Sequence, residues 1–187
     1  MTPDPQKLGD PNLEAIRESF GRVVYSHKTH EKAREIESRR ADLVKIANIV
    51  LTTTTLGTLV STVITDQRAL LYVSSVLSTV TLAFVIFQLS FDPGREAERH
   101  RTTAKELWYV RERYIHLLAD LKADPAAASV MQRRDDLIEE LKKVYALAPN
   151  TSSKAYAQAQ KALKVKEDMT FSNEEINRFL PEALHVD

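Results

Sequence analysis

The chain has 187 residues, no cysteine, and 26 basic residues balanced by 26 acidic ones. Zero net charge removes any global attraction to nucleic acid, so no stable duplex binding is expected; the missing thiols exclude a disulfide framework, a thiolate zinc site and a cysteine nucleophile. Mean hydropathy is mildly negative, so any membrane part is embedded in a strongly polar remainder.

Residues 1–10 carry prolines and charges with no apolar stretch, and read as a flexible tail rather than a cleaved secretory signal. Asp10 then stands before Pro11, a capping side chain ahead of a proline at the first helical turn. The predicted helix places Leu13, Ile16, Phe20 and Val24 at helical spacing, becomes highly charged from Lys28 to Arg40, and meets no breaker before Leu43. Residues 11–45 therefore read as one cytoplasmic rod leading into a membrane segment. Within it His27 and His30 lie three residues apart beside Glu31. No third ligand accompanies them, so they read as a solvated or subunit-contacting pair rather than a metal site, and no cofactor is expected.

Two uncharged apolar runs, 46–65 and 69–91, come next, separated only by Asp66-Gln67-Arg68. Each reaches the roughly 20 residues that a helix needs to cross a bilayer's hydrocarbon core. So short a connector returns the second run alongside the first, and the need to satisfy every backbone group in lipid selects two helices over an open strand pair. A helical hairpin buried in a soluble bundle would show a charged face, and neither run has one. Lys32, Arg34, Arg39, Arg40 and Lys45 precede the first run and Arg95, Arg99, Arg101 and Lys105 come after the second, against Arg68 alone in the connector; both termini are expected in the cytoplasm.

Hydroxyl groups mark both runs. Thr54, Thr58, Ser61 and Thr65 form one helical stripe, and Ser74, Ser78, Thr81 and Gln88 a second. Such stripes suit a water-filled path between assembled copies; the same groups also serve close helix packing by bonding back to the preceding turn, at ~1 kcal/mol or less per interhelical contact. No ionisable group lies within either run, which speaks against a proton relay or ion-coupled transport. Two spans cannot enclose a conduit, so a pore requires a homo-oligomeric ring of four or more subunits, with a tetramer favoured. Arg95, Arg99 and Arg101 would then line its cytoplasmic mouth and tilt selectivity toward anions.

Asp92-Pro93-Gly94 interrupts the chain at the membrane surface and reads as a hinge, with Asp92 able to cap a new helix. That helix carries Leu107, Val110, Tyr114, Leu117, Leu118 and Leu121 on a face suited to the N-terminal rod. Trp108, Arg111 and Arg113 combine aromatic and basic groups able to stack on and neutralise a nucleotide. Asp124-Pro125 separates this helix from one using Leu137, Ile138, Leu141 and Val144. Pro149-Asn150-Thr151 opens a helix with Ala155, Ala159 and Ala162. A capping box from Ser172 to Glu175 starts a short helix with Ile176, Phe179 and Leu180, stopped by Pro181. The expected fold is an all-α membrane protein: a two-helix transmembrane hairpin over 46–91 with a cytoplasmic helical bundle over 92–187. No phosphate loop, nucleophile elbow or paired-carboxylate pattern occurs, so no enzyme is expected.

The order of these features resembles the SLATT family, two-transmembrane effector domains associated with nucleotidyltransferases and nucleotide sensors in bacterial conflict systems. The resemblance rests on the charged helix around Tyr25 to Arg40, the tight hairpin, His100 through Leu107-Trp108, Arg111-Glu112, Tyr114 and Leu117-Leu118, then Tyr145, Pro149-Asn150-Thr151, Tyr156, and Glu175-Ile176 to Leu180-Pro181. It implies an anti-phage effector that makes pores in the bacterial inner membrane, depolarising or permeabilising it to cause growth arrest or death. It further implies a trigger from an encoded nucleotidyltransferase partner, that partner's oligonucleotide product, or a membrane change. The competing expectation is a non-conducting membrane adaptor that docks a soluble partner.

Overall fold

A computed structural model of the chain describes residues 11–65, 67–123 and 128–186. The expected tail over 1–10, the Asp10 cap, Asp66 of the connector and the Asp124-Pro125 punctuation lie outside the described residues. All regular structure among the described residues is helical: α1 (Pro11–Thr65), α2 (Arg68–Ser90), α3 (Pro93–Ala123), α4 (Ala128–Leu147), α5 (Ser153–Val165) and α6 (Asn173–Asn177), with a single 3₁₀ turn at Glu182–Leu184.

The rod and the first apolar run form one unbroken helix. At ~1.5 Å per residue, the 55 residues of α1 extend ~80 Å. α2 returns beside its apolar half, α3 runs back along its polar half, α5 rests on α1, and α4 on α3. Two helices are long and apolar enough to cross a membrane, and only 6% of each apolar window is buried within the protein. A soluble core helix would be mostly buried; here Val63 is 85% exposed and Leu89 83%. So large a contiguous apolar surface matches hydrocarbon rather than water.

Hydroxyls hold the hairpin seam. Thr55 and Thr81 share a 2.9 Å hydrogen bond and Thr62 and Ser74 one of 3.2 Å, with Ser74 completely buried. Most of these groups also donate to the preceding helical turn, as Thr55 does to Leu51 O at 2.7 Å and Thr81 to Leu77 O at 2.9 Å. Their polarity is therefore spent internally, as lipid requires.

At the far end, α2 stops at Ser90 and α3 begins at Pro93, where Asp92 Oδ1 accepts from Arg95 N at 2.9 Å. A Cβ on Gly94 would stand 3.2 Å from that same oxygen, so a side chain there would crowd the cap. Below it lies the apolar core: Ile16 and Val23 of α1, Leu107, Val110, Tyr114, Leu117 and Leu121 of α3, and Val130 and Leu137 of α4. Two expected positions differ. Val23 rather than Val24 is fully buried, and Ile138 is 49% exposed, because Leu137, Leu141 and Val144 complete the inward stripe of α4 and Ile138 falls about 100° from it.

α5 starts at Ser153, later than its Pro149 signal, because Ser152 supplies the cap by accepting from Ala155 N at 3.2 Å. Ala155, Ala159 and Ala162 are buried, so this helix approaches α1 closely. The capping box forms as the sequence predicts: Ser172 and Glu175 exchange bonds across the start of α6. Leu107 sits at the centre of the core with no exposed surface, so Leu107→Ala is expected to cost about 2–5 kcal/mol and Ile138→Ala under about 0.5 kcal/mol. Loss of helicity on heating the detergent-solubilised protein measures both.

Candidate functional site

The two hydroxyl stripes occupy different surroundings. On α2, Ser74 and Thr81 turn into the hairpin seam, and Ser78 and Gln88 are half-buried beside them. On α1 the seam is formed by Leu51, Thr55, Thr58 and Thr62, all half-buried, while Thr54, Ser61 and Thr65 are exposed. The first stripe thus flanks the seam, with Thr58 common to both and bonded to Thr55 O at 2.9 Å. Thr55 and Thr62 belong to neither expected stripe, although a run of hydroxyl residues four or seven apart is the signal that finds them.

The basic residues after the break are exposed and mostly paired along their own helix: Arg99 with Glu96 at 2.9 Å, Arg101 with Glu98 at 3.3 Å. Exposed pairs of this type contribute about 0–1 kcal/mol, so these arginines remain available to other anions. Arg95 has no acidic partner among the described residues.

Farther from the span, three imidazoles meet between α1 and α3. His27 and His30 are 6% and 4% exposed, so the expectation of a solvated pair is corrected: α3 covers them. His27 donates its Nδ1–H to Ala104 O at 2.8 Å, and His30 Nδ1 and His100 Nδ1 are 2.9 Å apart, one donating and the other accepting. The arrangement requires a bare nitrogen on one ring and disfavours a second proton. Burial, with His100 and His27 close by, brings the His30 pKa down to about 4. Burial also lowers His100, with Arg99 acting the same way and Glu96 and Glu37 opposing. Among the described residues no three metal-ligating side chains converge, and the histidines act as a polar joint between helices.

Beside this joint is a cavity of about 570 Å³ lined by α1, α3 and the segment after α5. Its walls carry Lys28, Arg34, Arg101, Lys105 and Arg111, a single carboxylate from Glu31, and the aromatic faces of Trp108 and Phe171. Of the three residues expected to hold a ligand, Trp108 and Arg111 line it; Arg113 does not, and is paired instead with Glu140 of α4. Lys28, Arg34 and Lys105 were absent from the expected set. Arg101, Lys105 and Trp108 recur at i, i+4 and i+7, and Lys28, Glu31 and Arg34 at i, i+3 and i+6, so each set shares a face.

One wall is latched. Lys28, with its side chain 11% exposed, bonds Glu31 at 2.9 Å and Asp168 at 3.0 Å. Burial disfavours its charge, but the two carboxylates outweigh that and raise its pKa. Asp168 accepts that bond from Lys28, which lowers its own pKa. It sits between Glu167 (φ 54°) and Met169 (φ 71°), both in the left-handed region. Such backbone costs on the order of 1 kcal/mol or more per non-glycine residue, and it persists where surrounding contacts hold it. Those contacts are the Lys28 pair and the bond from Asp168 N to Ala162 O at 3.1 Å.

Residues 13–175 match the model of SMODS and SLOG-associating 2TM effector domain family 4. No curated protein and no solved structure matches the chain.

The histidine joint makes stability depend on acidity. Between about 4, where folded His30 titrates, and about 6.5, where a free histidine does, the unfolded chain binds a proton that the folded chain refuses. Stability is therefore complete above that window and falls as pH drops through it. The thermal midpoint of the solubilised protein should decline from about pH 7 to about pH 4.5, and His30→Gln should flatten that decline.

Proposed function

Because this chain belongs to SMODS and SLOG-associating 2TM effector domain family 4, we propose that it is the pore-forming subunit of a bacterial anti-phage system. SLATT domains associate with SMODS nucleotidyltransferases and SLOG sensors in conflict systems. In this reading several copies, favourably four, close a ring in the inner membrane with both termini in the cytoplasm. The ring opens on a signal from the nucleotidyltransferase or its product, and the resulting depolarisation arrests or kills the cell.

The observation that carries the proposal is the exposed row Thr54, Ser61 and Thr65 on a span with no ionisable side chain. A ring of α1 helices turned to place this row inward gives water and ions a weakly binding path. α2, whose Ser74 and Thr81 are occupied by the seam and whose outward Ser75 and Thr79 bond back to the preceding turn, then faces lipid. The Arg95, Arg99 and Arg101 rings sit at the cytoplasmic mouth, and the Asp92-Pro93-Gly94 break serves as the hinge between span and bundle.

Unregulated expression should be toxic, and the purified protein should conduct in planar bilayers with a reversal potential leaning toward anions. Ser61→Trp should relieve toxicity and reduce unitary conductance severalfold, while Ser75→Trp, on the exposed side of α2, should leave both near wild type. Harmless expression together with silent bilayers would leave the adaptor reading in its place. A reporter joined after Asp187 that works only outside the inner membrane would reverse the assigned topology.

A further inference from the structure

The cavity beside the histidine joint carries cations that its surroundings do not fully occupy. Five basic side chains line it with one carboxylate, from Glu31. Lys28, Arg101 and Arg111 are paired with acidic residues, Arg101 with Glu98 at 3.3 Å and Arg111 with Glu112 at 2.7 Å, whereas Arg34 and Lys105 have no acidic partner among the described residues and the Nε of Arg111 is buried without a hydrogen bond. Trp108, half exposed, and Phe171 add flat apolar faces to the same wall. Cations that recognise phosphate oxygens beside aromatic faces that stack on a planar ring are the two halves of nucleotide recognition. An anionic lipid headgroup shares the first half alone. Trp108 stands ~20 Å along α3 from Pro93, beyond the headgroup layer of about 5–7 Å.

We propose that this cavity binds a small phosphorylated ligand bearing a flat base, a nucleotide-class anion, and that its phosphate replaces the Asp168 carboxylate on Lys28 and so unlatches the segment from Lys166 to Phe171. The proposal rests on the reading of the protein as a triggered effector and supplies the trigger's site. Asp168 is an internal stand-in for the ligand: it occupies Lys28, whose side chain is 11% exposed, at 3.0 Å. Its neighbours Glu167 and Met169 lie in left-handed backbone, which is costly for non-glycine residues, so the latched segment has little to lose by moving. The freed segment would withdraw Met169 and Phe171 from the cavity wall, changing the contacts α1 makes at Lys28, on the same helix that enters the membrane.

Trp108 is the chain's one tryptophan, so its fluorescence reports the site directly. The full chain in phosphatidylcholine nanodiscs is titrated with ATP and with a linear and a cyclic triadenylate, with adenosine and pyrophosphate as half-ligands. At least one whole nucleotide should quench Trp108 saturably and bind tenfold or more tighter than either half. Lys105→Glu and Arg34→Glu should each weaken it tenfold or more, and Lys142→Gln, on exposed α4, should change nothing. Asp168→Asn, which removes the competitor, should tighten binding severalfold, and bound nucleotide should speed protease cleavage between Lys166 and Phe171.

Absence of saturable quenching by all three nucleotides overturns the site. So does equal quenching by phosphatidylglycerol nanodiscs alone, which assigns the cations to lipid. Unchanged or weaker binding by Asp168→Asn overturns the latch. Conductance that needs no such binding also counts against this site while sparing the pore; binding in a protein that never conducts defeats the pore and leaves the site intact.

Discussion

The antiparallel contact between α1 and α3 organises the molecule outside its apolar spans. Ile16 and Val23 on one helix and Leu107, Val110, Tyr114 and Leu117 on the other remove their side chains from water almost completely. Hydrophobic burial of this kind contributes ~1.5–3 kcal/mol per large side chain before entropy is counted. α4 closes one flank of this pair and α5 the other, so neither has a core of its own. Nearer the membrane the same contact turns polar, and His27, His30, His100 and Thr103 continue it by hydrogen bonding. The seam is thus apolar at one end and hydrogen-bonded at the end nearer the apolar runs.

The two halves of the hairpin use hydroxyls in the same manner but to different ends. On α2 Ser74 and Thr81 are absorbed by Thr62 and Thr55 of the neighbouring helix. On α1 one row is absorbed by the seam and the adjacent row, Thr54, Ser61 and Thr65, faces outward. Thr65 of that outward row returns its hydroxyl to Ser61 O at 2.7 Å, as the exposed Ser75 and Thr79 of α2 do to Leu71 O and Ser75 O at 2.9 Å, so outward hydroxyls occur on both helices and bond back to their own turns.

Much of this was legible in the chain itself. Apolar length gave the spans, the missing breaker before Leu43 gave the continuity of α1, and Asp92-Pro93-Gly94 gave the interruption between α2 and α3, with Asp92 capping as its side chain allows. The alternation that buries Leu107, Tyr114 and Leu117 was equally plain. What the sequence left open depends on rotation and on neighbours remote in the chain. A stripe says that hydroxyls share a face, not which face the partner helix takes, so Ser74 and Thr54 looked alike. His27 and His30 looked solvated because His100, their cover, lies 70 residues or more away. Lys28 and Arg34 were lost in a charged run whose members are equivalent until α3 and the segment after α5 are laid across it, Lys105 was equally undistinguished on α3, and Arg113 was grouped with Arg111 although two positions along a helix stand about 200° apart and so meet different neighbours.

The unequal joints at the membrane surface have a mechanical consequence. α1 enters the apolar region as one stiff rod, whereas α2 and α3 are separate helices with only Phe91 and Asp92 between them. Bending or twisting applied to the bundle therefore reaches the hairpin through one unbroken helix, while the other connection is interrupted at Phe91 and Asp92. With ~50 Å of α1 outside the apolar run, a tilt of ~5° at the span swings the far end by ~4 Å, and the reverse holds: a few ångströms of displacement at the bundle's tip become a small, rigid rotation of the helix within the lipid.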